Sequence, residues 1–144
     1  MQPGKETTGF SLIELMMVLA IVAILASLGL PRFFGFIQES RRSDAAMSLL
    51  ELAAAMERFY SHRRSFSGAT TVSLLGRAVS EDGHYVLEMS VADDGQAWSA
   101  AATPVRSGSQ ADDACYRYLL DSTGRKRNED KEGGEIAASS CWPK

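Results

Sequence analysis

Residues 10–30 hold 21 positions in which Glu14 is the only charge and Ser11 and Ser27 are the only other polar side chains. As a helix this run is roughly 31 Å long, close to the roughly 30 Å hydrocarbon thickness of a bilayer, so it is expected to span a membrane. The alternative is a cleaved secretory signal, with Lys5 as its positive region and Ile24, Leu25 and Ala26 as the cleavage site before Ser27. The run is longer than a usual signal core, and a signal core has no use for Glu14. A carboxylate within an apolar span costs about 2.5 to 3.5 kcal/mol on insertion scales, so it normally has a partner and a task.

No Lys, Arg or His lies between Phe10 and Leu30. One candidate cation is the α-amino group that cleavage of the Gly9–Phe10 bond would create. An amine at the helix start and a carboxylate four residues on share one face, so they can pair within a chain or between staggered neighbours. These residues reach a known pattern. Gly9-Phe10-Ser11-Leu12-Ile13-Glu14-Leu15, followed by an apolar run that closes on Gly29-Leu30-Pro31, resembles the prepilin signature of type IV pilins and their pseudopilin relatives. The resemblance implies cleavage after Gly9 by a membrane prepilin peptidase and N-methylation of Phe10. It also implies pairing of Glu14 with a neighbouring subunit's amino group during assembly. Residues 1–9 are then a leader, and the apolar helix 10–30 stays in the mature protein.

Set apart from residues 1–30, the remaining 114 positions suffice for one modest core. The formal charge of -3 is uneven. Residues 31–64 carry six arginines against four acids, and residues 65–144 carry eight bases against twelve acids. Neither imbalance amounts to the basic stripe and high pI of a protein that coats itself in nucleic acid.

Beyond Pro31 the pattern turns amphipathic. Ala45, Ala46, Leu49, Leu52, Ala53, Met56, Phe59 and Tyr60 recur at three- and four-residue steps. One helix is therefore expected from about Phe10 to about His62, with a break or kink at Gly29 and Pro31, because proline removes a ladder hydrogen bond. Phe33, Phe34, Phe36 and Ile37 form an aromatic band, read as a membrane-interface belt or as helix packing within a filament. Arg32, Arg41, Arg42, Arg63 and Arg64 are read as a solvated face or as ion-pair partners.

In residues 65–83 the glycines suggest a connecting loop with one short helix capped by a threonine. Tyr85, Leu87, Met89 and Val91 alternate with Val86, Glu88 and Ser90, which is strand periodicity. Asp94-Gly95 is a hairpin signal, 96–105 returns antiparallel, and 115–120 is a third strand. Residues 125–135 read as a loop or a short exposed strand. The fold class is α+β, a pilin fold: the long N-terminal helix on a small antiparallel sheet. The organisation is 1–9 leader, 10–30 transmembrane and assembly helix, 31–64 amphipathic helix, and 65–144 head.

Cys115 and Cys141 are the only cysteines. Behind a membrane-targeting segment they are most simply a disulfide, with two unrelated buried thiols as the alternative. A closed C-terminal region of this kind resembles the equivalent region of type IV pilins, most like PilE-type minor pilins of type IVa pili. His62 and His84 are isolated, no metal-ligand spacing occurs, and no nucleophile motif or phosphate loop is found. No catalytic residue, cofactor or metal is expected. Asp93-Asp94 and Asp112-Asp113 are read as turn residues. The run Arg125-Lys126-Arg127 is read as solvated and nearly cancelled by Glu129, Asp130 and Glu132.

The expected role is a structural pilus subunit, held in the inner membrane by a single pass with its head in the periplasm and then drawn into an extracellular fibre. Its expected partners are major and minor pilins, prepilin peptidase, the inner-membrane assembly platform and, before assembly, membrane lipid. Fibres of this kind serve twitching motility, adhesion and DNA uptake. The alternatives are a type II secretion pseudopilin and a DNA-binding tip pilin.

Overall fold

A computed structural model describes residues 9–143, with the side chains at 29–32 and 34 outside the description. The chain divides into two compact units between Phe36 and Ile37. Helix α1 (Leu12–Arg63) runs through that division. Its backbone is helical at positions 29 and 31, and the side-chain half of the expected break at Gly29 and Pro31 lies outside the described residues. The leader, residues 1–8, lies outside them too.

Among the described side chains of the first unit α1 has no buried face. Leu12, Ile13, Leu19, Ile21, Val22, Ile24 and Leu28 are between 53% and 77% exposed, a level of apolar exposure that calls for lipid or other helices around it. Phe33 and Phe36 continue this exposure.

In the second unit the sequence periodicity becomes a packed stripe. Ala45, Ala46, Leu49, Leu52 and Met56 are buried, with Ala53, Phe59 and Tyr60 against their margin. The stripe lies on a five-stranded antiparallel meander, β1 (Tyr85–Val91), β2 (Trp98–Pro104), β3 (Arg117–Asp121), β4 (Lys126–Glu129) and β5 (Glu135–Ile136), in the order β1-β2-β3-β4-β5. Alternation decides which side chains face the helix. Tyr85 and Leu87, then Trp98, Ala100 and Ala102, then Tyr118 and Leu120 join the core. The small Ala100 and Ala102 leave room for the helix over the central strands.

Connections follow turn chemistry. Helix α2 (Thr71–Leu75) opens with a capping box: Thr70 Oγ1 accepts the Ser73 N–H and Ser73 Oγ accepts the Thr70 N–H, both at 3.0 Å. It closes on Gly76 at φ +72°, left-handed backbone that glycine adopts without steric cost. The expected strand at 115–120 is shifted to Arg117–Asp121, because Cys115 is held by the disulfide rather than by the ladder. The stretch 125–135 is two strands and a turn, in which Asp130 Oδ1 accepts the N–H groups of Glu132 and Gly134. A last short helix, α3 (Ala138–Cys141), brings Cys141 back to the core.

Candidate functional site: the assembly helix and the disulfide-closed head

Gly9 and Phe10 are exposed at the start of the described chain, and Phe10 is 87% exposed. The Ser11 carbonyl accepts the N–H groups of Glu14 and Leu15, which starts the helix just past the Gly9–Phe10 bond. Glu14 is exposed among bare apolar side chains, and among the described residues its carboxylate has no hydrogen-bond or ion-pair partner. Among the described residues no helix is long and apolar enough to cross a membrane. The span expected for 10–30 ends on positions 29 and 30, whose side chains are outside the description.

The head is closed by Cys115–Cys141, with Cα atoms 5.6 Å apart and both residues buried. The bridge encloses β3, β4, β5 and α3. A ring series reinforces it: Tyr85 meets Tyr118 edge-on at 5.8 Å, and Tyr118 meets Trp142 at 5.7 Å. The Tyr118 hydroxyl donates to the Cys141 carbonyl at 3.3 Å, and Trp142 Nε1 donates to the Arg127 carbonyl at 3.4 Å. Burial pushes the Tyr85 hydroxyl up to about 12 and raises Tyr118 further in the same direction.

Of the arginines read as a solvated face or as ion-pair partners, Arg63 and Arg64 are exposed and Arg42 is ion-paired. Arg41 donates to Ser109 Oγ, and Arg42 forks onto the carboxylate of Asp113. Asp113 is buried in that ion pair, which corrects the reading of Asp112-Asp113 as turn residues only. The guanidinium of Arg63 lies 4.8 Å from the Phe59 ring centroid, and the Lys126 ammonium 5.0 Å from that of Trp142.

Two of the three acids expected to cancel Arg125-Lys126-Arg127 are engaged elsewhere, and Glu132 is exposed. Glu129 pairs with Arg117 at 3.2 Å, and Asp130 caps its own turn. Arg58, Arg63, Arg64 and Arg125 are exposed at one end of the head, where the end of α1 meets the β1–β2 and β3–β4 turns. Gln96 Nε2 donates to the Arg64 carbonyl at 3.5 Å, Phe66 N–H to Gly95 at 2.8 Å, and Ser122 N–H to Trp98 at 3.0 Å. His62 is exposed, while the backbone N–H of His84 donates to Asp44 Oδ2 at 3.4 Å. Among the described residues no group of His, Cys, Asp and Glu is placed to hold a metal ion.

The described residues thus hold an exposed apolar helix with a lone carboxylate and a disulfide-closed α+β head. Residues 5–30 match the prokaryotic N-terminal methylation motif. Residues 31–119 match the model of the type IV minor pilin ComP, DNA uptake sequence receptor, and the chain belongs to that family of type IV minor pilins.

The type IV major pilin protein PilA of Myxococcus xanthus (strain DK1622) is 39% identical over 64 residues, 44% of this chain and 29% of that protein. The fimbrial protein EcpC of Eikenella corrodens is 31% identical over 100 residues, 69% of this chain and 64% of that protein. The chain thus spans less than two thirds of the length of these curated relatives. A type IV pilin structure from Shewanella oneidensis superposes with a TM-score of 0.53 at 23% identity. It covers 74% of this chain and 99% of that one, and it shares the fold.

Proposed function

We propose that this chain is a minor subunit of a type IVa pilus. Prepilin peptidase cuts after Gly9, the new amino terminus at Phe10 is N-methylated, and residues 10–30 hold the subunit in the inner membrane with its head in the periplasm. The assembly platform then draws it into a fibre among major and minor pilins. Glu14 meets the amino group of a neighbouring Phe10 in that step, and the helix opens at Gly29 and Pro31. The observation that carries this reading is the match of residues 5–30 to the methylation motif, together with the exposed apolar side chains from Leu12 to Leu28 around Glu14, whose carboxylate has no partner among the described residues.

Mass spectrometry of the protein from membranes and from sheared fibres tests it. N-methylated Phe10 in both fractions is the expected result. A start at Ser27 overturns the reading, and absence from fibres together with loss of exoprotein release on deletion favours a secretion pseudopilin.

A second reading, reception of DNA at the fibre, is supported by the family model over 31–119 and by the exposed arginines gathered at one end of the head. Arginines there would contact phosphates, so binding should weaken steeply with salt. Replacing Arg63, Arg64 and Arg125 together should lower affinity for duplex DNA and flatten its salt dependence. Unchanged binding by that variant removes this surface as the receptor.

A further inference from the structure

Two loops converge on two turns of α1 at the very start of the second unit. Gln110 Nε2 donates to the Gln38 carbonyl at 3.1 Å, Arg41 reaches Ser109, and Arg42 forks onto Asp113. From the other side, Ser80 Oγ donates to Asp44 Oδ2 at 2.5 Å, and the Asp82 N–H donates to Asp44 Oδ1 at 3.1 Å. From Ala45 onward apolar packing dominates, with Ser48 Oγ alone of the buried stripe accepting a loop N–H, that of Glu81 at 3.3 Å. The polar contacts therefore form a collar over residues 38–44. Gln110 is 1% exposed, as is Ser80, and its amide is also 3.2 Å from the Tyr85 hydroxyl and 3.3 Å from Asp113 Oδ2.

Just ahead of the collar the helix is weakest. Pro31 supplies no N–H to the Ser27 carbonyl. Ser27 Oγ donates back to the Ile24 carbonyl at 2.7 Å, a contact that competes with the ladder. Gly29 and Gly35 add backbone freedom, each at a cost of about 1 kcal/mol relative to alanine. The compact units also divide at Phe36 and Ile37. A helix restarted at Gln38 has Glu39 in its first turn, where an acid complements the helix dipole.

We propose that the 38–44 collar is a mechanical stop, so that unwinding of α1 that begins within residues 27–36 ends at Gln38 and leaves the head and its core intact. Gln110 pins the Gln38 peptide, which preserves the first ladder bond of the restarted helix. Arg42–Asp113 and Asp44–Ser80 fix the next turn against two separate loops, so the stop does not depend on a single contact. This inference concerns the isolated chain and stands whether or not the chain enters a fibre.

Hydrogen exchange resolved by mass spectrometry on the full chain in detergent micelles tests it. In the unaltered chain, exchange should be fast over 29–37 and slow from about residue 42. In Gln110→Met, which keeps the volume and loses the donor, amides over 39–46 should exchange about tenfold faster, the size of one lost hydrogen bond. Asp113→Asn should act in the same direction, and Arg106→Ala, exposed on the same connection, should change nothing. Uniform protection across 29–46 in the unaltered chain overturns the proposal. So does unchanged exchange over 39–46 in both variants, or a rise shared equally by β1, β2 and β3. If the variants do not fold, the boundary in the unaltered chain decides: protection that begins far from Gln38 overturns the stop.

Discussion

Arg42 on α1 and Asp113 on the connection before β3, 71 positions apart, form a two-bond fork with Nε to Oδ2 at 2.8 Å and Nη2 to Oδ1 at 2.5 Å. The Asp113 side chain is 1% exposed and that of Arg42 is 23% exposed, so the carboxylate depends on the guanidinium for its place in the interior. The hydrogen bond to Asp113 raises the Arg42 pKa against the opposing effect of burial. Gln110 and the Cys115 N–H complete the shell around the carboxylate.

Arg42→Ala therefore leaves a buried carboxylate unpaired and should destabilise the head by about 3 kcal/mol. The double variant with Asp113→Ala should cost less than the sum of the two single changes, since each removes the same pair. Urea denaturation in detergent measures both; additive losses would show that the pair is not coupled.

Tyr85 gives the head an alkaline limit. Its folded pKa is raised to about 12, chiefly by burial, against about 10 in the unfolded chain. Between those values the unfolded chain loses this proton and the folded chain keeps it. The stability tied to Tyr85 is thus whole below about pH 10 and is lost as pH rises toward 12, with a slope of up to about 1.4 kcal/mol per pH unit. Tyr85→Phe should flatten the fall in denaturation free energy between pH 9.5 and 11. A slope identical to that of the unaltered chain would place the alkaline sensitivity elsewhere.

Reduction of Cys115–Cys141 should lower head stability by roughly 3 kcal/mol, the chain-entropy value for a loop of this length. Because both cysteines are buried, the reductant should act slowly unless denaturant is present. Melting with and without reductant, after thiol counting, checks this; equal midpoints with the bridge fully reduced would count against it.

Glu14→Ala removes the only charge of the apolar helix, so membrane insertion should be unchanged or improved while incorporation into fibres falls. Fractionation and sheared-fibre immunoblots read the two effects separately. Wild-type levels of Glu14→Ala subunits in fibres would end the pairing proposed for this carboxylate.

What could be read from residue order was what depends on near neighbours. The helical stripe from Ala45 to Met56, the alternation of Tyr85 to Val91, the Thr70 cap and the Asp94-Gly95 turn each rest on spacings of a few residues, and each is present. The methylation motif is likewise local. Arg42 and Asp113 carried no such mark. An arginine on a helix and an aspartate in a loop look solvated until the β2–β3 connection folds back over α1. The same holds for Asp44, whose carboxylate receives Ser80 and Asp82 from a loop nearly forty positions away.

The sequence alone determined that the chain carries an apolar N-terminal helix with one acid inside a methylation motif, joined to a small α+β head, because periodicity and local motifs act over a few residues. Tertiary structure alone decided which charges are interior, how residues 125–135 divide into two strands and a turn, and where the head takes hold of the helix. Those outcomes come from pairs whose members are far apart in the chain and meet only when burial removes water from both, and no local spacing encodes that desolvation.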